Sequence, residues 1–231
     1  MAVLECAGLS KSYGAVKALE DIDLKVEPGR VVGLLGPNGS GKTTLIKLAN
    51  GLLQPSAGRI LVCGREPGPE TKAEVSYMPE RLEMPEWTRV RSLADFFADF
   101  YADFDRARAA ELLERLGIDG ESRLRQLSKG LRQKVQLSLV MSRRAKLYLL
   151  DEPFGGMDPA SRDLMLETVL QSRAPEAAVV ISTHIITDVE RVLDDVVFLD
   201  RGGVRLCSPA AELRAREGKS VDELFREVFR C

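Results

Sequence analysis

The residues of this chain best suited to chemistry form a glycine-rich loop, GPNGSGKTT, at Gly36–Thr44. The loop fits the phosphate-binding pattern G-x-x-x-x-G-K-[ST], whose glycines let successive backbone N–H groups turn toward a phosphate chain. Lys42 would place a positive charge beside the β- and γ-phosphates, and the Thr43 hydroxyl would ligate the accompanying Mg²⁺. The pattern therefore predicts a nucleoside triphosphate site, and a chance match in a glycine-rich turn is the alternative.

A second group of candidate residues follows two apolar segments. The segment LYLLDEP, Leu147–Pro153, ends in a carboxylate pair. Asp151 can reach Mg²⁺ through water, and Glu152 can orient or deprotonate a water that attacks the γ-phosphate. The single histidine, His184, follows the segment VVIST and should emerge at the carboxyl end of a sheet, where open α/β sheets bind ligands. Solvated acids and a structural histidine are the alternatives, which the phosphate loop makes less favourable.

Strands and helices must position these side chains. The apolar run Val31–Leu35 predicts a buried strand, and Thr43–Leu52 has the apolar spacing of a helix. The phosphate loop would therefore lead into a helix N-terminus, which favours anions. Ser128 can cap a long helix that starts within LSKGLRQK, Leu127–Lys134. The residues alone leave open whether that capped end is structural or a second anion site.

The order of predicted elements indicates one interrupted domain. Residues 1–80 and 145–231 contain the predicted strands and form an α/β core, whereas residues 81–144 have a helical pattern throughout. No flexible linker separates these parts, so we expect a single domain over residues 1–231 with an inserted helical lobe.

Composition argues against several classes of protein. The chain carries 33 Lys and Arg against 35 Asp and Glu, a net charge of −2, so no nucleic acid partner is expected. The cysteines are scattered and predict free thiols in a reducing compartment rather than a zinc site: Cys6, Cys63, Cys207 and Cys231. We find no signal peptide and no apolar run near the ~18 residues that cross a bilayer. A cytoplasmic protein that reaches the membrane through a partner is expected.

Taken together, these motifs resemble the nucleotide-binding subunit of ABC transporters, over essentially the whole chain and in the family's order. The signature motif is matched by Leu127–Leu131 and the D-loop by Phe154–Asp158. The resemblance implies a P-loop NTPase fold of α/β class, with a mainly parallel sheet core, an antiparallel N-terminal β-subdomain and a helical lobe. It also implies two cassettes paired head to tail, with each ATP between the phosphate loop of one and the signature motif of the other.

Motifs and resemblance together give three sets of expected site residues. The expected catalytic residues are Lys42, Glu152 and His184. The expected Mg²⁺ ligands are Thr43, Glu80 and Asp151. The residues expected to bind ATP, with Tyr13 stacking on adenine, are Tyr13, Val16, Gly36, Asn38, Gly39, Ser40, Gly41, Lys42, Thr43, Thr44, Ser128 and Gly130.

The chain departs from the family's motifs at two places. Glu80 stands where the Q-loop has a glutamine, so it adds negative charge near the γ-phosphate and has no amide donor. The signature reads LSKGL and not LSGGQ, so Lys129 either supplies a charge to the facing nucleotide or points to water. Similar variants occur among ATPases that serve separate permeases of the ABC-2 exporter type, and the ending SVDELFREVF also resembles that group.

The expected function is ATP hydrolysis that powers a membrane transporter. Its expected partners are permease subunits and a second ATPase subunit, identical or related, which hold the chain at the inner face of the cell membrane. A soluble ABC ATPase, such as the cluster-assembly type, and a nucleotide-dependent regulatory subunit are the alternatives. We further hypothesise that Trp87 and one or two aromatic residues of Phe96–Tyr101 line the groove that receives a permease helix.

Overall fold

The computed structural model describes residues 1–81 and 83–229, in which the strands form two sheets. The smaller sheet is antiparallel with the order β2-β1-β4, and its strands are β1 (Leu4–Tyr13), β2 (Val16–Val26) and β4 (Ala57–Val62). Much of β2 alternates between buried and exposed residues, as in a sheet with one covered face. The predicted antiparallel N-terminal β-subdomain is confirmed.

The larger sheet has six strands in the order β5-β6-β7-β3-β8-β9. Its strands are β3 (Val31–Leu35), β5 (Val75–Met78), β6 (Leu147–Asp151), β7 (Ala178–Thr183), β8 (Asp195–Asp200) and β9 (Gly203–Pro209). Only β9 runs antiparallel to its neighbour, and every residue of β3, β6 and β7 is buried. The mainly parallel core is thus confirmed, and these three strands end at one edge of the sheet.

Five helices surround the core sheets: α1 (Lys42–Ala49), α2 (Pro69–Lys72), α6 (Pro159–Ser172), α7 (Ala210–Glu217) and α8 (Val221–Val228). The predicted helix starts are confirmed. The Asp158 carboxylate accepts a hydrogen bond of 2.9 Å from the Ser161 N–H at the start of α6. Ser220 and Glu223 form a capping box at the start of α8.

The helical lobe contains α3 (Val90–Phe100), α4 (Arg106–Arg115) and α5 (Lys129–Met141). Val135 and Leu139 of α5 pack in the lobe's own apolar cluster, whereas Leu137 and Val140 belong to the main core cluster. The predicted division at residue 144 therefore assigns to the lobe a helix that both parts share. Over the described ranges, no helix combines the length and the apolar character needed to span a membrane.

Buried Arg143 joins the lobe to the core just after α5. Its guanidinium lies 3.0 Å from the Asp103 carboxylate and 3.8 Å from the centre of the Tyr101 ring. It also donates hydrogen bonds to the carbonyls of Lys72 and Ala73, ahead of β5. A buried cation is tolerated only when it is paired and hydrogen-bonded, and here the partners come from both parts of the chain.

Candidate functional site

The predicted phosphate loop leaves β3 and leads into the N-terminus of α1, at the edge where the parallel strands end. A Cβ at Gly36 would lie 2.3 Å from the Leu199 carbonyl oxygen and 2.6 Å from Ser40 Oγ. Gly39 and Gly41 have φ values of +80° and +111°, in the left-handed region that favours glycine. Glycine is therefore required at Gly36 by close contacts and at Gly39 and Gly41 by the backbone conformation.

An open cavity of about 520 Å³ lies against this loop. The sequence-predicted residues that line it are Asn38, Gly39, Ser40, Gly41, Lys42, Thr43, Thr44, Glu80, Glu152 and His184. The tertiary structure thus brings together the loop, the carboxylate after β6 and the histidine after β7. Cavities of several hundred Å³ with a few converging polar groups are typical of small-molecule sites.

Lys42 is the buried cation of the site. Its Nζ donates hydrogen bonds to the carbonyls of Gly36 (2.7 Å) and Pro37 (3.1 Å) and lies 3.8 Å from Glu152 Oε1. Burial lowers the pKa of Lys42, while nearby carboxylates, chiefly Glu152, act in the opposite direction. The ammonium is thus held within the loop by neutral carbonyls that a phosphate group can replace.

Glu152 lies directly after β6 in a left-handed conformation, with φ +48°. Both of its carboxylate oxygens are 3.0 Å from Nδ1 of His184. Its backbone N–H donates to the Ser182 carbonyl at 3.0 Å and lies 3.2 Å from the Ser182 hydroxyl. The turn after β6 therefore directs the Glu152 carboxylate between the histidine and the phosphate-loop lysine.

Asp151 is almost fully buried, with 1% of its surface exposed. Its Oδ1 accepts hydrogen bonds from Ser182 Oγ (2.5 Å) and Thr43 Oγ1 (3.2 Å). Its Oδ2 is buried and has no hydrogen-bond partner in the part of the chain that the structure describes. A buried carboxylate oxygen is costly without a partner, so this atom is suited to a cation or to cation-bound water.

These residues fit Mg²⁺ better than a metal held by the protein alone. Across residues 1–81 and 83–229, no group of three His, Cys, Asp or Glu side chains could hold a metal ion. Mg²⁺ is usually bound through one or two carboxylates together with phosphate oxygens and water. Asp151 with its free oxygen, Thr43 beside it and Glu80 on the cavity wall match that donor set.

Five predicted ATP-binding residues lie outside the cavity lining, and Gly36 at the start of the phosphate loop is one of them. Tyr13 and Val16 are 47% and 66% exposed, and Lys11 Nζ lies 5.5 Å from the centre of the Tyr13 ring. Ser128 caps α5, accepting a hydrogen bond of 3.3 Å from the Leu131 N–H. Gly130 completes this group of five, and the ATP contacts of all five stay predictions.

The cavity also contains residues that sequence reasoning missed or placed elsewhere. Lys129 was expected either to supply a charge to the facing nucleotide or to point to water; it lines the cavity of its own chain, and a Cβ at Gly156 would lie 3.4 Å from its Nζ. One helical turn further on, Gln133 also lines the cavity and has a buried Oε1 without a partner among the described residues. Ser182, which contacts both acids, was missed too. It lies outside the cavity lining, and its signal was a polar residue near the end of a largely apolar strand, β7.

The fold and the cavity define a P-loop nucleotide-binding cassette. The family model described as ABC transporter matches residues 19–155, and the chain belongs to this family. It is 34% identical over 230 residues to the daunorubicin resistance ATP-binding protein DrrA3 of Streptomyces coeruleorubidus, covering 96% of this chain and 73% of the relative. The motifs had indicated the same family, and the chain is one of its ATP-binding subunits.

Solved structures agree with this assignment. The ATP-binding subunit of an ABC transporter superposes with a TM-score of 0.89 and 33% identity, covering 99% of this chain and all of the other. A dimeric ATP-binding cassette in a post-hydrolysis state, bound to ADP and Pi, gives a TM-score of 0.80 at 18% identity, over 89% of this chain and 98% of that one. The second likeness concerns the fold alone.

Proposed function

We propose that this chain hydrolyses Mg²⁺-bound ATP and that hydrolysis powers a membrane exporter. The observation that carries the proposal is the arrangement around one carboxylate. Glu152 lies 3.0 Å from His184 Nδ1 and 3.8 Å from Lys42 Nζ in the cavity against the phosphate loop. A base, a cation and a histidine beside the phosphate loop form the set needed to cleave a terminal phosphate.

Each residue has a distinct part in this proposal. Lys42 exchanges its carbonyl partners for phosphate oxygens and stabilises the charge that develops on them. Glu152 orients the attacking water and accepts its proton, while His184 holds the Glu152 carboxylate in place. Asp151, Thr43 and Glu80 hold Mg²⁺, directly or through water. When bound, the ion neutralises charge on the phosphates.

A second ATPase subunit is part of the proposal. Ser128 is exposed and lies outside the lining of its own chain's cavity, so a contact with ATP requires a second copy or a related chain. The solved dimeric cassette of the same fold supports such pairing. Lys129 lines the cavity of its own chain beside the D-loop residue Gly156, so its charge acts there as well.

The permease is proposed to dock in a depression of about 530 Å³ beside the phosphate loop. Its apolar lining residues are Leu52, Tyr77, Pro79, Met84, Phe96, Phe97 and Tyr101. Glu80 lines both this groove and the nucleotide cavity, so it can sense both occupants. We had expected Trp87 to line this groove together with one or two of the aromatic residues of Phe96–Tyr101. Phe96, Phe97 and Tyr101 do line it, whereas Trp87 is not among the described lining residues.

Similarity to a subunit named for drug resistance favours export over a soluble role such as cluster assembly. The intact Lys42, Asp151, Glu152 and His184 favour hydrolysis over a purely regulatory role. In this proposal the chain associates with the membrane through the permease, because the permease is its docking partner.

The test is Glu152→Gln, which removes the base but keeps the shape of the side chain. Turnover should fall by roughly 10²–10⁴, the usual contribution of a general base, while ATP and Mg²⁺ trap a dimer. Phosphate release and gel filtration measure the two effects. Lys42→Ala is the control, since it should lose ATP affinity and therefore the dimer. Wild-type turnover in Glu152→Gln would contradict the proposal.

A further inference from the structure

Ser182 places one hydroxyl between the two acidic residues of the site. It lies in β7, directly opposite Asp151 in the register with β6, and its side chain is fully buried. Its Oγ donates a hydrogen bond of 2.5 Å to Asp151 Oδ1 and accepts one of 3.2 Å from the Glu152 N–H. A hydroxyl has one proton and two acceptor lone pairs, so both bonds can form together.

The first bond decides which oxygen of Asp151 is free. Both hydroxyl donors, Ser182 and Thr43, bind Oδ1. Oδ2 is buried and has no partner within the described residues, although Asp151 is almost fully enclosed. Without the Ser182 hydroxyl, the carboxylate loses its short hydrogen bond and can rotate to share Thr43 between its oxygens. The Ser182 hydroxyl therefore fixes the orientation of the Asp151 carboxylate, and Oδ2 is left without a hydrogen bond from the described residues.

The second bond supports the unusual backbone of Glu152. A positive φ is uncommon for a residue other than glycine, because the Cβ is brought close to the neighbouring backbone. The Glu152 N–H is held by the Ser182 carbonyl at 3.0 Å and by the Ser182 hydroxyl at 3.2 Å. Ser182 therefore provides two acceptors for the turn that points the Glu152 carboxylate toward His184.

We propose that Ser182 is a positioning residue, which reserves Asp151 Oδ2 for Mg²⁺ and holds the Glu152 turn. This inference rests on the proposed function, because it assumes that Mg²⁺ and ATP occupy the cavity. The competing explanation is a buried serine that merely satisfies its own hydrogen bonds. Ser76 in β5 is such a residue: it is equally buried, and its Oγ donates 2.8 Å to the Val140 carbonyl, away from the site.

The experiment compares Ser182→Ala with the matched control Ser76→Ala. The affinity for a fluorescent ATP analogue is measured with saturating Mg²⁺ and again with EDTA, which gives the gain in affinity due to Mg²⁺. Loss of a hydrogen-bond partner behind a metal ligand typically costs 10–100-fold in metal affinity. We expect Ser182→Ala to reduce the Mg²⁺-dependent gain about 10-fold while the affinity in EDTA stays at the wild-type value. Ser76→Ala should keep both values.

The role of Ser182 is overturned if Ser182→Ala keeps the wild-type Mg²⁺-dependent gain in affinity, or if Ser76→Ala loses as much of that gain as Ser182→Ala does. Neither outcome affects ATP binding by the wild type. If Ser182→Ala does not fold, Ser182→Cys replaces it, because a thiol keeps a polar atom in place of the hydroxyl but donates only weakly. The same loss is then expected, and a wild-type gain overturns the role. Wild-type protein without Mg²⁺-dependent ATP binding would overturn the proposed function itself, and the role of Ser182 with it.

Discussion

Among single residues, Glu80 is the carboxylate shared by the nucleotide cavity and the docking groove. Its charge opposes that of a triphosphate, although it also favours the charged form of Lys42. We expect Glu80→Gln to bind ATP as tightly as the wild type or more tightly, because a negative charge is removed. The larger effect should be on coupling to the permease.

Titrations of ATP and measurements of basal hydrolysis test this expectation. Glu83→Gln is the matched control, because Glu83 lines the groove but not the cavity, and its ATP affinity should not change. Much weaker ATP binding by Glu80→Gln alone would contradict the charge argument and would make Glu80 an essential ligand.

Lys129 was expected to supply a charge to a facing nucleotide or to point to water, and it lines the cavity of its own chain. A Cβ at Gly156 would lie 3.4 Å from both Cδ and Nζ of Lys129, and the lysine is exposed, where salt screens charges beyond about 8–10 Å. Lys129→Met keeps an apolar stem and removes the charge. Its ATP-driven dimerisation should therefore depend less on salt than that of the wild type.

Gel filtration with ATP across a range of salt concentrations measures this dependence. Lys134→Met is the control, since Lys134 is also in α5 but is not among the residues that line the cavity. Identical salt profiles for Lys129→Met and the wild type would show that the Lys129 charge does not reach the nucleotide.

At the scale of secondary-structure elements, α3 presents an aromatic face to the docking groove. Phe96 is 42% exposed and lines the groove, and its ring centre lies 4.4 Å from that of Phe100. Aromatic side chains with free area are favoured anchors at protein interfaces. Phe96→Ala should therefore weaken co-purification with the permease and leave ATP-driven dimerisation intact.

Trp87→Ala is the matched control for this element. Trp87 is 71% exposed and lies before α3, outside the described groove lining, so the variant should assemble normally. Loss of assembly in Trp87→Ala with normal assembly in Phe96→Ala would move the docking surface away from the groove.

For the whole molecule, alkaline pH should lower stability through a buried thiol. Burial raises the pKa of Cys6 in β1 from 9.0 to about 12. The unfolded chain therefore loses this proton at a lower pH than the folded chain. Any stabilising contribution is intact below pH 9 and is lost between about pH 9 and 12, at up to about 1.4 kcal/mol per pH unit for one group.

Urea unfolding of wild type and Cys6→Ala at several pH values tests this expectation. The variant should be less stable at neutral pH because it leaves a small void, yet its stability should fall less steeply above pH 9. Equal slopes below pH 9 serve as the internal control. Equal slopes above that pH as well would show that Cys6 does not titrate as burial implies.

Local patterns in the sequence were sufficient for much of this molecule. The phosphate loop, the cap of α6 at Asp158 and the capping box of Ser220 and Glu223 each involve residues a few positions apart. Largely apolar segments likewise predicted the central parallel strands. Helix starts, buried strands and glycine turns depend on short-range backbone geometry, which the order of residues determines directly.

Other features were decided only by the tertiary structure. Ser182 meets Asp151 because β7 pairs with β6 in one particular register, although the residues are 31 positions apart. Lys129 lines its own cavity because α5 packs against both the lobe and the core. Strand register and helix docking result from burying side chains across the whole fold. The sequence therefore determined which catalytic and binding residues the chain carries, and packing determined which side chains lie next to them.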